Sequence, residues 1–157
     1  INPGFVLGDF LNEKSCTSME YIKQLLQGKF PAAPKFSVMI SHVKDIARAH
    51  VLSLANKRAG GRRLIVGSEV RSILELSKIM AEHLPSHSKK LPKKELPNFM
   101  VKLLSYIDTS AKNLVPDLGL TMQTDQTYAE EILQMKFLPS ETAVVDAAKS
   151  VVRLKLA

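Results

Sequence analysis

The sequence predicts a single α/β domain, and three observations carry that reading. Short runs rich in β-branched and aromatic residues, at 1–8, 36–40 and 63–66, alternate with segments whose apolar positions recur at helical spacing. The second half of the chain holds helical patterns almost alone. The 157 residues are 45% hydrophobic and 24% charged, ordinary values for one domain with its own core.

Residues 1–8 read as a strand running into a loop. Thr17 as N-cap, with Glu20 three residues on, makes a capping box that opens a helix through Leu26. Gly28 ends it as a residue suited to the left-handed turn after a helix. Residues 30–34 are irregular, and 36–40 alternate as a short strand. From Val43, the positions Val43, Ile46, Ala47, His50, Val51 and Leu54 form the apolar stripe of a helix reaching about Asn56. His50 lies on that stripe and is expected as a hydrogen-bonded core histidine. Gly60-Gly61 turns the chain into a strand at 63–66, ended by Gly67. Ser72 and Glu75 form a second capping box, for a helix through Ile73, Leu76, Ile79 and Met80 that stops before Pro85. The basic, proline-rich stretch 85–96 reads as a solvated loop. Pro97 suits the first turn of a helix from Phe99 to about Ile107. A helical turn is expected near 110–114, a helix from near Asp125, and a terminal helix from Pro139-Ser140 carrying Val144, Ala147, Ala148, Val151 and Val152.

The formal charge of +7 raises the question of a polyanionic partner. The basic residues are dispersed, apart from Arg58, Arg62 and Arg63 and the group Lys89, Lys90, Lys93 and Lys94. The latter stands between prolines with no aromatic residue interleaved, so base stacking has nothing to use, and neither nucleic acid nor membrane is expected as a partner. The single Cys16 excludes a disulfide framework and fits a reducing compartment. No apolar run approaches the roughly 20 residues of a membrane helix, so a soluble, cytoplasmic protein is expected. His83 and His87 are spaced i, i+4, but Pro85 between them breaks the helix that would align them, so no metal site is expected. Cys16 has no evident base partner, and no Gly-x-Ser-x-Gly elbow is present. No Gly-x-x-Gly-x-x-Gly follows a strand. None of the tyrosines starts a Tyr-x-x-x-Lys: Leu25, Ser110 and Ile132 stand four residues after Tyr21, Tyr106 and Tyr128. No catalytic residue is assigned within the chain.

Three segments carry a resemblance. Asn2-Pro3-Gly4-Phe5-Val6-Leu7-Gly8 is similar to a pattern of Asn-Pro, two variable residues, Val, an apolar residue and Gly-Pro, with Asp9 replacing the last Pro. Residues 41–50, Ser-His-Val-Lys-Asp-Ile-Ala-Arg-Ala-His, are similar to Val-Asp-Val-Arg-Asp-Val-Ala-x-Ala-His, with His42 where Asp is usual and Lys44 where Arg is usual. Arg62-Arg63-Leu64-Ile65-Val66 and the Ser72 helix are similar to a Gly-Arg-Tyr-Ile-type strand and the helix after it, and Phe137-Leu138-Pro139-Ser140 matches the end pattern. In this order and spacing the motifs resemble extended short-chain dehydrogenases/reductases (the NAD-dependent epimerase/dehydratase family), in the dihydroflavonol-reductase and aldehyde-reductase branch, over nearly the whole chain.

The resemblance implies the C-terminal part of a Rossmann-like parallel sheet plus a small, mainly helical substrate-binding lobe. Residues 1–157 would be the C-terminal substrate-binding portion, with the N-terminal dinucleotide-binding half, including the Tyr-x-x-x-Lys, upstream of Ile1. The implied cofactor is NADP or NAD, contacted in part by Pro3, Gly4, Phe5, Val6 and Ser18, and the implied partner a small-molecule carbonyl substrate walled by Phe5. The residues themselves agree for the first segment. A parallel strand ending in Pro-Gly turns at the sheet's carboxyl edge, where open α/β sheets bind ligands. Pro3 has no N–H, so the backbone around Gly4, Phe5 and Val6 can approach a planar ring and pair with its carboxamide. Ser18 reads equally as a first-turn helix residue. The expected activity is reduction of an aldehyde or ketone. Its rivals are a nucleotide-sugar epimerase or dehydratase, a hydroxysteroid dehydrogenase, and a truncated non-catalytic binding module. Apolar Phe5 and Leu7 favour a less polar substrate than a sugar nucleotide.

Overall fold

The first strand changes partners at Gly4. The computed structural model describes residues 1–14, 16–106, 109–120 and 122–157. In it β1 (Asn2–Pro3) runs parallel to β5 (Ile65–Val66), whereas β2 (Phe5–Leu7) runs parallel to β4 (Ser37–His42). The Asn2 N–H donates to the Leu64 carbonyl at 2.7 Å. The next rung of a parallel ladder would join Gly4 to Val66. Instead the buried Ser41 hydroxyl stands between them, accepting from the Gly4 N–H at 2.8 Å and donating to the Val66 carbonyl at 2.6 Å. A side chain at Gly4 would run into the Met39 carbonyl oxygen, so this close approach needs glycine.

On its other edge β4 pairs antiparallel with β6 (Val70–Ser72), giving the order β2-β4-β6. Helices α1 (Thr17–Leu26), α3 (Ile73–His83) and α7 (Ser140–Arg153) close over these strands around Leu7, Ile22, Leu25, Ile40, Leu76 and Val151. A smaller core forms where α2 (Val43–Ala55) and α6 (Thr127–Leu133) meet β5, through Ala49, Val66 and Ile132. Two further helices, α4 (Asn98–Leu104) and α5 (Thr109–Leu114), touch each other, and α4 leaves Phe99 and Leu103 exposed. The fold is α/β with parallel strand pairs and a helical C-terminal half, as the residue patterns predict. Among the described residues no helix is long and apolar enough to cross a membrane.

Local expectations fare unevenly. The Ser72–Glu75 box forms, with Ser72 Oγ accepting from the Glu75 N–H at 3.2 Å and the Glu75 carboxylate accepting from the Ser72 N–H at 2.7 Å. Gly28 closes α1 with φ of +77°. The Thr17–Glu20 box does not form. Extended backbone at Cys16 makes that residue the N-cap, Thr17 is already helical, and Glu20 turns forward to Lys23 and Gln24.

Helix α2 is rotated from the predicted stripe. Asp45 and Ala49 are its buried residues, while Val51 and Leu54 are 67% and 91% exposed and His50 lies at the surface. The cause is Asp45, whose carboxylate accepts the Leu138 N–H at 2.7 Å and so turns a polar residue inward. The stretch 85–96 is more than a solvated loop: a 3-10 turn (Pro85–His87) leads through buried Leu91 and Pro92 to β7 (Glu95–Leu96), which pairs parallel with β3 (Ala33–Pro34). A two-residue strand paired across about 60 positions leaves no local pattern to read. Helix α4 ends at Leu104 with Ser105 as its C-cap, short of the expected extension, whose last residue, Ile107, lies outside the described residues.

Candidate functional site

A cleft of about 490 Å³ opens between β2, the loop that follows it and the first turn of α1. Gly4, Phe5 and Val6 give it a floor, Gly8, Asp9 and Phe10 one side, Cys16, Thr17 and Ser18 the other, and Val43 closes it where β4 passes into α2. Of the residues predicted from sequence, Gly4, Phe5, Val6 and Ser18 are thus brought together. Pro3 is exposed, stands in register with Val66 and does not line the cleft.

The contribution of each residue follows from its neighbours. The Gly4 N–H is committed to Ser41, so what Gly4 offers the cleft is a floor without a side chain. Phe5 is fixed edge-on against Tyr21, with ring centroids 6.0 Å apart and planes at 87°, and Tyr21 in turn lies 5.3 Å from Phe30. The buried Tyr21 hydroxyl has no hydrogen-bond partner among the described residues, and burial raises its pKa well above the ordinary phenol value, so it stays protonated. Ser18 is buried, and the neighbour of its hydroxyl is the Cys16 thiol at 3.5 Å, a weak partner that leaves the oxygen open to a ligand.

Gly8 adopts φ of +136°, and a Cβ there would lie 2.7 Å from Val43 Cγ1, so glycine both permits the turn and keeps this side of the cleft open. The loop after it is tied to α7. Arg153 donates to Asp9 at 2.7 Å and 3.4 Å and to the Phe10 carbonyl at 3.1 Å, and the Phe10 N–H donates to Ser150 Oγ at 3.0 Å. Behind Gly8, buried His42 caps α2. Its Nδ1 accepts from the Lys44 N–H at 3.1 Å, which leaves Nε2 as the protonated nitrogen facing Asp146 at 3.3 Å. A histidine side chain thereby does the capping for which aspartate is a preferred residue.

Sequence reasoning missed Gly8, Phe10, Cys16, Thr17 and Val43 as lining residues. The glycine at a strand end was a usable signal. Val43 and Phe10 reach the cleft through tertiary packing alone. The resulting hollow is mostly apolar, with the hydroxyl residues Thr17 and Ser18, one thiol and a carboxylate already paired to Arg153. It suits a flat, weakly polar group.

No family model matches the sequence. Over 87 residues, 55% of the chain, it is 31% identical to tetraketide alpha-pyrone reductase 2 of Arabidopsis thaliana, and over 86 residues, also 55%, it is 36% identical to cinnamoyl-CoA reductase CAD2 of Medicago truncatula. The matched stretches are 27% and 26% of those relatives' lengths. Among solved structures, yeast methylglyoxal/isovaleraldehyde reductase Gre2 complexed with NADPH superposes with a TM-score of 0.68 at 19% identity, over 98% of this chain and 46% of that one. The chain therefore spans less than half the length of the proteins it matches.

Proposed function

We propose that the chain belongs to the extended short-chain dehydrogenases/reductases and forms the substrate-facing portion of an NADPH- or NADH-dependent reductase of aldehydes or ketones. The observation that carries this reading is the meeting of Gly4, Phe5, Val6 and Ser18 in one apolar hollow beside a parallel strand pair. The hollow fits the nicotinamide end of such a cofactor. Its walls suit a flat ring, Gly8 keeps open a space that a Cβ would close against Val43, and Ser18 brings a buried hydroxyl engaged only weakly, by the Cys16 thiol. When bound, the reduced nicotinamide supplies a hydride to the carbonyl carbon.

The chain's own residues bind and orient. The backbone of Gly4, Phe5 and Val6 underlies the ring, and Phe5, held edge-on by Tyr21, offers an apolar wall to the substrate. Ser18 hydrogen-bonds a polar substituent of whichever molecule lies over it. Without a Tyr-x-x-x-Lys in this sequence, we assign proton delivery and the grip on the pyrophosphate to a dinucleotide-binding half encoded upstream of Ile1. Two surfaces support that partner: β1 pairs with β5 alone among the described residues, and α2 exposes Val51 and Leu54. That both curated relatives are reductases favours carbonyl reduction over sugar epimerisation. A cytoplasmic location, with exposed Cys16 kept as a thiol, belongs to the same proposal.

The test is turnover by the full-length protein of an aldehyde panel and of UDP-sugars, followed by nicotinamide absorbance. Aldehyde-dependent oxidation of NADPH or NADH is expected. Phe5→Ala should lower kcat/KM about tenfold or more, in keeping with the roughly 1.5–3 kcal/mol that burying such a ring contributes. Sugar conversion without net cofactor consumption overturns the reading.

A further inference from the structure

A second cleft, independent of the one just described, has about 500 Å³ of space between the end of α1 and the 89–97 segment. Its rim carries Lys89, Lys90, Lys93 and Lys94, and Phe30 and Leu96 supply apolar surface. In the sequence these lysines stand in a proline-rich loop without aromatic neighbours. In space Phe30 is brought among them from 59 or more positions away.

Two features separate this group from a solvated charge run. The backbone that bears the lysines is pinned along its length. The Ser88 and Lys90 N–H groups donate to the Pro85 and His87 carbonyls at 3.2 and 2.9 Å, Leu91 and Pro92 are buried between the two lysine pairs, and the Ala33 N–H donates to the Lys94 carbonyl at 2.8 Å. Across the cleft, Gly28 packs against Lys90, where a Cβ would approach the Lys90 Cβ to 3.2 Å. The second feature is electrostatic. None of the four lysines makes an ion pair within the described residues, and Glu95 is the one acidic residue of the lining. Four like charges held on one rim with one opposing charge repel each other until an anion enters. A cleft with low-dielectric walls concentrates their field. Because the backbone is already fixed, the ordering that opposes binding is confined to the lysine side chains.

We propose that this cleft binds a phosphorylated small molecule, one with at least two phosphoryl charges joined to a planar or apolar group. Ammonium point charges suit phosphate oxygens, and a diphosphate meets both lysine pairs where a single carboxylate meets one. Phe30, its ring already packed on Tyr21, offers the contact for the organic part. A nucleic-acid strand fits less well, since a strand needs a track of cations with repeated stacking faces and here the charge is gathered at one hollow.

Amide NMR titration of the full-length protein saturated with NADPH, adding pyrophosphate or ADP, tests this. Shifts are expected at residues 28–32 and 89–96, with ADP binding several-fold more tightly than pyrophosphate. Lys93→Ala combined with Lys94→Ala should weaken ADP at least tenfold while the thermal midpoint stays unchanged. Gly8→Ala, at a residue that lines the first cleft and lies outside the Phe5–Tyr21–Phe30 row of rings, should leave ADP binding unaltered, and this separates the site from the proposed nicotinamide cleft. Absence of shifts at millimolar ligand, wild-type affinity in the double variant, or equal binding of ADP and pyrophosphate overturns the proposal. So does a single-stranded oligonucleotide that binds more tightly than ADP and also shifts Arg58, Arg62 and Arg63.

Discussion

Replacing Ser41 with alanine isolates the device that lets one strand serve two partners. The substitution removes one oxygen and deprives both the part-buried Gly4 N–H and the buried Val66 carbonyl of the partner that joins them. An unsatisfied buried group costs about 1–3 kcal/mol, and because the Gly4 N–H is only part-buried a loss of about 2–4 kcal/mol is expected for the pair. For a domain of this size that corresponds to a fall in melting temperature of roughly 5–15 °C. Ser68→Ala is the matched control. Its hydroxyl donates to the Ile40 carbonyl at 3.3 Å, but that carbonyl also accepts the Ser68 N–H at 2.7 Å, so no group is orphaned and the loss should stay below about 1 kcal/mol. Urea unfolding followed by far-ultraviolet circular dichroism gives both values. Equal losses for the two variants, or an Ser41→Ala loss under about 0.5 kcal/mol at an unchanged m-value, would refute the reasoning.

Three further outcomes are expected. Tyr21→Phe removes a buried hydroxyl without a partner among the described residues, so it should leave stability unchanged or raise it by about 1 kcal/mol, and a clear loss in thermal melting would reveal a partner for that group. Glu75 is held below its usual carboxylate pKa, first by the Ser72 N–H. Its stabilising contribution is therefore present above the unfolded-state pKa and lost as pH falls through the lower folded-state value. Denaturation across pH 7 to 3 should find Glu75→Gln less stable than wild type at neutral pH and the gap closing in acid; a constant gap counts against the linkage. Gly8→Ala forces a side chain into a left-handed backbone region and against Val43, so it should weaken NADPH binding by the full-length protein about tenfold or more, read by nicotinamide fluorescence, and an unaltered affinity would remove the ring from this cleft.

What could be read from the sequence divides by the range of the interaction. The Ser72–Glu75 box, the Gly28 stop and the terminal helix from Ser140 depend on residues within a few positions, and all stand where the pattern puts them. Thr17 and Cys16 differ by one residue of register, and the decision lay with the backbone at Cys16, which no side-chain pattern encodes. The rotation of α2 was hidden because an apolar stripe says which face can be buried, while Asp45 and its bond to Leu138, 93 positions away, determine which face is. The cleft followed the same division. Gly4, Phe5 and Val6 were legible as a strand end, whereas Phe10 and Val43 arrive through α7 and β4.

Asp9 joins these threads. A proline there would fix its own φ and stiffen the loop by covalent means. Aspartate gives up that restraint, and the chain compensates from a distance: Arg153 grips the carboxylate and the Phe10 carbonyl while Ser150 takes the Phe10 N–H, all from the last turns of α7. The Asp9–Arg153 pair is exposed on both sides, so its worth in stability is about 1 kcal/mol or less. Its greater effect is on the cleft. Asp9 lines the hollow, and an unpaired carboxylate there would set a negative charge beside a weakly polar ligand; pairing it at 2.7 Å turns that charge away and keeps the wall suited to a flat, uncharged ring. The side of the cleft formed by residues 8–10 is thus held by the C-terminal helix, so a loosened end of α7 would disturb the site before it disturbed the core.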